Sequence, residues 1–261
     1  MQSLKAEIIT NERIGDKLYK LEFFSPYICR NAAPGQFINM RCCDPGQLDP
    51  LLRRPFSIYD TDKGFNVATI LYIVRGKGTA FMARLERGDV IDLCGPLGKP
   101  LKVKADRILC ISGGIGIAPL HFFAKSLASQ EKKVYLLAGF KDPGYMQVEK
   151  DIRRLNLDYM IFCEEEMWAN QGIVTDGLKD LKRFSAYQAY CCGPHEMLKD
   201  LQKKFSGSGI KAYALVEERM ACGIGVCEGC IVKIKNRQGG FDYRKVCSDG
   251  PAFDLMELAF E

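Results

Sequence analysis

Ile108-Leu109-Cys110-Ile111-Ser112-Gly113-Gly114-Ile115-Gly116-Ile117-Ala118-Pro119 reads as an apolar strand that runs through a glycine turn into a helix. Glycines at such a turn let the pyrophosphate of a dinucleotide meet a helix N-terminus, and Pro119 suits the first helical turn, where a missing N–H matters little. Pro119 stands where the strict Gly-x-Gly-x-x-Gly fingerprint has its third glycine, so these residues alone also allow a tight turn without a ligand. Downstream, β-like runs at 134–138, 159–162 and 189–192 alternate with helical patterns at 119–129, 145–155, 177–182 and 195–205. That alternation predicts a parallel sheet covered by helices over residues 100–210.

Upstream, the texture differs. Short β-like runs at 17–24, 36–41, 56–59, 65–74 and 90–93 are separated by Pro and Gly, which predicts an antiparallel barrel or sandwich over residues 1–99. Gly95-Pro96-Leu97-Gly98-Lys99-Pro100 forms the joint to the parallel sheet. Two stretches of this first region carry chemistry. In Arg53-Arg54-Pro55-Phe56-Ser57-Ile58-Tyr59 a guanidinium pair precedes a strand with an aromatic ring and a hydroxyl, the parts needed to hold a pyrophosphate and a flat ring. Arg75-Gly76-Lys77-Gly78-Thr79-Ala80 is a glycine turn leading into a helix expected over 80–85, a second anion seat. Taken singly, each is equally an exposed strand edge or a connecting turn.

The tail holds Cys222-Gly223-Ile224-Gly225-Val226-Cys227-Glu228-Gly229-Cys230, with Cys247 after sixteen intervening residues. Spacings of four and then two residues are those with which thiolates hold a 2Fe-2S cluster in the plant-type ferredoxin loop. Gly223, Gly225 and Gly229 allow the backbone to turn N–H groups toward sulfur. Zinc is the alternative, although structural zinc usually takes two Cys-x-x-Cys knuckles and only Cys227 and Cys230 form one here. Disulfides fit poorly with a chain that opens without a secretory leader and scatters its other eight cysteines, so a reducing, cytoplasmic setting is expected. Strands at 211–217, 231–235 and 241–246, the last two around Asn236-Arg237-Gln238-Gly239-Gly240, make residues 211–261 a small module in which a metal centre supplies the missing core.

At 261 residues and 47% hydrophobic content the chain can bury two ordinary cores and an appendage. A net charge of +5 without a basic run argues against nucleic acid, and no apolar run reaches the length of a membrane span. Only His121 and His195 occur, so hydrolytic triads and histidine metal sites are poorly supplied and cofactor chemistry is favoured. Both histidines are read as packing or surface residues.

Arg54-Pro55-Phe56-Ser57 resembles the flavin motif Arg-x-Tyr-Ser of the ferredoxin-NADP reductase superfamily, with Phe56 in place of the tyrosine. Gly78-Thr79 resembles its pyrophosphate turn, the Gly-Gly-x-Gly-x-x-Pro form at 113–119 is also found there, and Cys192-Gly193-Pro194 resembles its Cys-Gly-Pro motif. The resemblance implies an FAD-binding β-barrel, a Rossmann-like NAD-binding α/β domain and a 2Fe-2S module. It implies that Arg54 holds the flavin phosphates, that Pro55, Phe56, Leu71, Tyr72, Ile73, Gly78 and Thr79 line the flavin, and that Gly114, Gly116 and Pro119 receive the nicotinamide dinucleotide. Ser57 and Cys192 are the residues placed at the reacting rings, and Cys222, Cys227, Cys230 and Cys247 the metal ligands.

Over nearly its full length the chain is similar to one subfamily, the electron-transfer subunits of B-type, NAD-dependent dihydroorotate dehydrogenases. The resemblance rests on Arg53-Arg54-Pro55-Phe56-Ser57-Ile58, Glu218-Arg219-Met220-Ala221-Cys222 and Val246-Cys247-Ser248-Asp249-Gly250-Pro251. It implies an FMN-containing dihydroorotate dehydrogenase catalytic subunit as partner, a heterotetramer with two of each, and electron flow through the cluster and FAD to NAD in pyrimidine biosynthesis. Sister subunits of a ferredoxin:NADP transhydrogenase or a hydrogenase-type complex share the three modules, and a zinc-stabilised, non-enzymatic binding module is the alternative of another class. NAD and NADP stay open: Lys141 follows the second strand of the parallel sheet, where a cation meets either a 2′-phosphate or only water.

Overall fold

The structure is a computed structural model that describes residues 1–165 and 169–260. Six strands close the N-terminal barrel: β1 (Gln2–Arg13), β2 (Leu18–Phe24), β3 (Phe37–Met40), β4 (Arg54–Asp62), β5 (Val67–Ile73) and β6 (Val90–Leu97). They run antiparallel in the order β1-β2-β5-β4-β3-β6. Alternate side chains point inward, and Ile8, Leu21, Phe23, Ile38, Met40 and Ile70 fill the barrel with no measurable exposure. β1 has no counterpart among the expected runs. Its first half pairs with β6 and its second with β2, with a register shift between Ile8 and Thr10 that bends one long strand around the barrel. Helix α1 (Pro26–Asn31) is capped by the Ser25 hydroxyl, which accepts from the Ile28 N–H. The helix expected at 80–85 lies earlier, as α2 (Lys77–Met82), because Thr79 Oγ1 accepts from the N–H groups of Arg75 and Gly76 and fixes the start.

The second region supplies β7 (Arg107–Gly113), α3 (Ile117–Ala128), β8 (Lys133–Phe140), α4 (Met146–Arg154), β9 (Asp158–Cys163), β10 (Asn170–Gln171), β11 (Gln188–Cys192), α5 (His195–Phe205) and β12 (Ala212–Leu215). The tail adds β13 (Ile231–Lys235), β14 (Phe241–Lys245) and β15 (Ala252–Asp254). One seven-stranded sheet runs β10-β9-β8-β7-β11-β12-β15, parallel except for β15, which lies antiparallel on β12. Its central strands are buried on both faces: Ile108 and Cys110 belong to one core, Leu109 and Ile111 to the other. The helix expected at 177–182 is two short 3₁₀ turns, Val174–Leu178 and Leu181–Phe184. Asp180 breaks the run by accepting from the Lys182 N–H, and Gly177 packs on Phe162, where a Cβ would stand 2.9 Å from the ring.

A polar seam joins barrel and sheet. The Tyr59 hydroxyl donates to Asp151 Oδ2 at 3.0 Å, Lys20 Nζ meets the same oxygen at 2.9 Å, and Lys125 Nζ meets Asp60 at 2.6 Å. His121 is buried in α3, stacked on Tyr59 with ring centres 4.1 Å apart and Nδ1 3.1 Å from the Tyr59 carbonyl. The tail is sewn on by main-chain bonds: Val216 N–H to Pro251 O, Lys99 N–H to Gly250 O and Leu255 N–H to Ala212 O. Thus the expected strand at 211–217 completes the parallel run as β12, and the chain returns after Cys247 to pair with it. Among the described residues no helix is long and apolar enough to cross a membrane.

Candidate functional site

The barrel opens on a cleft of about 360 Å³ lined by Arg54, Pro55, Phe56, Ser57, Leu71, Tyr72 and Ile73, with α2 and its preceding turn closing one end. The two adjacent arginines part here. Arg53 is tied into the barrel wall by Asp92, with Nη2 2.8 Å from the carboxylate and Nη1 2.9 Å from the Asp92 carbonyl. Arg54 faces the cleft opposite Gly76, Lys77, Gly78 and Thr79. Gly78 permits that approach, since a Cβ there would stand 3.0 Å from Cys42 Cβ and 3.7 Å from Arg54 Cγ. Phe56 is mostly buried and meets Tyr72 edge-on at 6.1 Å, while the Tyr72 hydroxyl donates to Asn11. A cation, apolar side chains along the wall and the Ser57 hydroxyl in one cleft fit a dinucleotide flavin.

A second cleft, about 510 Å³, lies at the carboxyl ends of the parallel strands and is lined by Gly113, Gly114, Gly116, Lys141, Tyr145 and Cys192 among others. Gly114 has φ +54°, and a Cβ on Gly116 would collide with the Cys192 carbonyl, so β11 packs directly on the turn. Pro119 is the third residue of α3 and lines a third cleft of about 350 Å³, together with Ser57, Cys192 and residues 215–220. Burial raises the Cys192 thiol well above its ordinary range, assisted by the negative charge of Glu217. Cys191 points into the opposite core. His195 is exposed at the start of α5 and borders two of the clefts.

Glu217 lines all three clefts and was not singled out in the sequence. Its position two residues beyond the end of a parallel strand is the signal available for it. The carboxylate is open to the cleft but crowded by its walls; that crowding raises its pKa, against the pull of Arg75. Arg75 and Lys77 likewise line the barrel cleft and add two cations beside Arg54.

Five residues beyond Glu217, the cysteine loop gathers its thiols as two pairs. Cys222 lies with Cys227, whose N–H is 3.5 Å from Cys222 Sγ, and Cys247 lies with Cys230, the Cys247 N–H being 3.5 Å from Cys230 Sγ. The Ile224 N–H also points at Cys222 Sγ, at 3.4 Å. Partial burial would raise the Cys222 thiol, but the N–H groups of Ile224 and Cys227, the Cys227 thiol and the Val226 N–H together outweigh it and bring the pKa down to about 6. Cys247 goes the other way, to about 12, through burial and the adjacent Cys230. Gly223 and Gly225, at φ +72° and +88°, give the loop this inward turn. Among the described residues no three His, Cys, Asp or Glu side chains converge as a single mononuclear site requires. Two thiol pairs fit a centre with two irons, each taking two thiolates.

Comparison with known proteins agrees with this arrangement. Residues 217–259 match the family described as the iron-sulfur cluster binding domain of dihydroorotate dehydrogenase B. A relative in Caldanaerobacter subterraneus subsp. tengcongensis, named dihydroorotate dehydrogenase B (NAD(+)), electron transfer subunit, is 35% identical over 98% of both chains. A protein of the same name in Fusobacterium nucleatum subsp. nucleatum is 35% identical over 96% of both. Among solved structures, a chain of NADH-dependent reduced ferredoxin-NADP oxidoreductase superposes with TM-score 0.84 at 25% identity, covering 97% of this chain and 89% of that one. Phthalate dioxygenase reductase shares the fold, with TM-score 0.62 at 18% identity over 93% and 76% of the two chains. The chain therefore belongs to the family of electron transfer subunits of NAD-dependent dihydroorotate dehydrogenase B.

Proposed function

We propose that this chain carries electrons between an FMN-containing dihydroorotate dehydrogenase subunit and NAD, through a 2Fe-2S centre held by Cys222, Cys227, Cys230 and Cys247 and an FAD held in the barrel cleft. The observation that carries this reading is the convergence of three clefts on Glu217, five residues ahead of the first loop cysteine. FAD, when bound, supplies the exchange between a two-electron hydride carrier and one-electron partners. Arg54, with Arg75 and Lys77 nearby, neutralises phosphate in the barrel cleft, and Ser57 presents its hydroxyl where that cleft meets the neighbouring one. Gly114 and Gly116 bring the dinucleotide onto the start of α3, and Cys192 closes the cleft against water without offering a thiolate.

On this reading the assembly is a heterotetramer with two copies of each subunit, working in the cytoplasm in pyrimidine biosynthesis with NAD(H) as its nicotinamide. The likeness to a chain of ferredoxin-NADP oxidoreductase supports a second assignment, to a transhydrogenase complex with the same three modules. A pull-down from native lysate followed by an orotate-formation assay separates the two. NAD-dependent orotate formation by the recovered complex is the expected result, and an iron-free flavoprotein, or one that NADH fails to reduce anaerobically, would refute both.

A further inference from the structure

Three buried polar side-chain atoms among the described residues have no hydrogen-bond partner: His121 Nε2, Asn39 Oδ1 and Ser248 Oγ. His121 belongs to the seam. The other two both pack against the cysteine loop, although Asn39 comes from barrel strand β3 and Ser248 follows Cys247 in the tail. Asn39 is 1% exposed, and its amide nitrogen lies 2.8 Å from the place a Cβ on Gly223 would occupy. Ser248 Oγ lies 3.0 Å from the place of a Cβ on Gly225. Either glycine, given a side chain, would displace the polar group beside it. Gly223 and Gly225 flank Ile224, whose N–H points at Cys222 Sγ. Each unpartnered side chain is thus within one residue of a backbone donor already aimed at sulfur.

A buried hydroxyl without a partner is uncommon, and Ser248 Oγ calls for an acceptor that the protein atoms do not provide; on the other side of the loop the group that Asn39 turns toward Gly223 is its amide nitrogen, a donor. Sulfur in an iron-sulfur centre is such an acceptor, and hydrogen bonds to it are one of the protein's means of setting the reduction potential. Reduction adds one electron to the centre and increases the negative charge on its sulfur, so a donor stabilises the reduced form more than the oxidised one. We propose that the Ser248 hydroxyl and the Asn39 amide nitrogen, neither a ligand, donate hydrogen bonds to sulfur of the two-iron centre and raise its one-electron potential. The inference rests on the reading of Cys222, Cys227, Cys230 and Cys247 as the ligands.

The test is a redox titration of the holoprotein followed by electron paramagnetic resonance. Ser248→Ala removes one oxygen from the loop; the reduction equilibrium should shift about tenfold toward the oxidised form, ~59 mV lower for one electron. Ser248→Thr, which keeps the hydroxyl, should restore the midpoint. Asn39→Leu, similar in size and remote in sequence from the loop, should shift it in the same direction and decides the matter if Ser248→Ala fails to retain the centre. Midpoints in both Ser248→Ala and Asn39→Leu equal to that of the unaltered protein would overturn the inference alone. An unaltered protein without a two-iron signal, or a Cys227→Ser variant that leaves that signal unchanged, would overturn the ligand reading and the inference with it.

Discussion

The seam between barrel and parallel sheet and the cysteine loop are the two places where polar groups concentrate, and they are finished to different degrees. In the seam, Asp151 takes the Tyr59 hydroxyl and the Lys20 ammonium, Asp60 takes Lys125, and His121 Nδ1 sits on a carbonyl. Charges there are matched by the chain itself. Around the loop, N–H groups point at Cys222 and Cys230, Asn39 Oδ1 and Ser248 Oγ have no partner, and Cys227 is exposed. Apart from His121 Nε2, the seam is completed by folding, whereas the Ser248 hydroxyl beside the loop is left for a bound centre. Other cysteines sharpen it: Cys42 is pushed up to about 12 and Cys29 to about 11, burial being the largest cause in each, whereas Cys222, ringed by N–H groups, is brought down to about 6. One residue type is packing material in the barrel and, at Cys222, is drawn toward the thiolate by the loop.

The most severe test of this contrast is Cys227→Ser. Visible absorbance and the resonance signal of the iron-sulfur centre should be lost or altered, and amide exchange should quicken across residues 217–259. Oxidation of NADH by an artificial two-electron acceptor should persist, because seam and flavin cleft are untouched. Disappearance of that activity with FAD still bound would join the two regions that the comparison separates. Arg54→Ala comes next. Losing a charge-assisted contact of about 1.5–3 kcal/mol should weaken FAD retention by tenfold or more, measured as flavin content after gel filtration, with iron content unchanged.

Asp151→Ala attacks the seam instead. It strands Lys20 and the Tyr59 hydroxyl and should lower stability by about 3 kcal/mol in urea unfolding, again leaving iron content as it was. The smallest effect concerns His121. Burial, which outweighs the nearby Asp60 and Asp151 and the Tyr59 carbonyl, holds its pKa below the ordinary 6.5. The unfolded chain therefore takes up a proton below about pH 6.5 that the folded chain resists, so stability is intact above that pH and falls below it. His121→Phe keeps a ring on Tyr59 and removes the titration. Its urea midpoint should change less between pH 7.5 and 5.5 than that of the unaltered protein, and equal slopes would exclude His121 as the source.

Much of the architecture is legible in local pattern. Strands β2 to β6 follow short apolar runs, and the alternation after Gly113 gives the parallel sheet because period-two and period-3.6 patterns are written into neighbouring residues. β1 is harder to see because its inward apolar face, Leu4, Ala6 and Ile8, stops there and Thr10, Asn11, Glu12 and Arg13 carry the strand on. The run at 177–182 looked helical, yet Asp180 and the packing of Gly177 on Phe162 divide it, and that contact joins residues fifteen apart in the chain. β15 is three residues long and exists only because β12 offers it an edge.

By itself the sequence determined the order of the three modules and the kind of chemistry, since the cysteine spacing, the glycine turn and Arg54-Pro55-Phe56-Ser57 are each contained in a short stretch. Tertiary structure decided which member of a neighbouring pair works. Arg53 is claimed by Asp92, thirty-nine residues away, and leaves Arg54 for the cleft; Cys191 faces one core and Cys192 the clefts. It alone brought Glu217 to the junction of the three clefts and set Asn39 and Ser248 against the loop. Successive side chains of a strand point to opposite faces, and which face becomes cleft or core is fixed by the distant elements that pack on it.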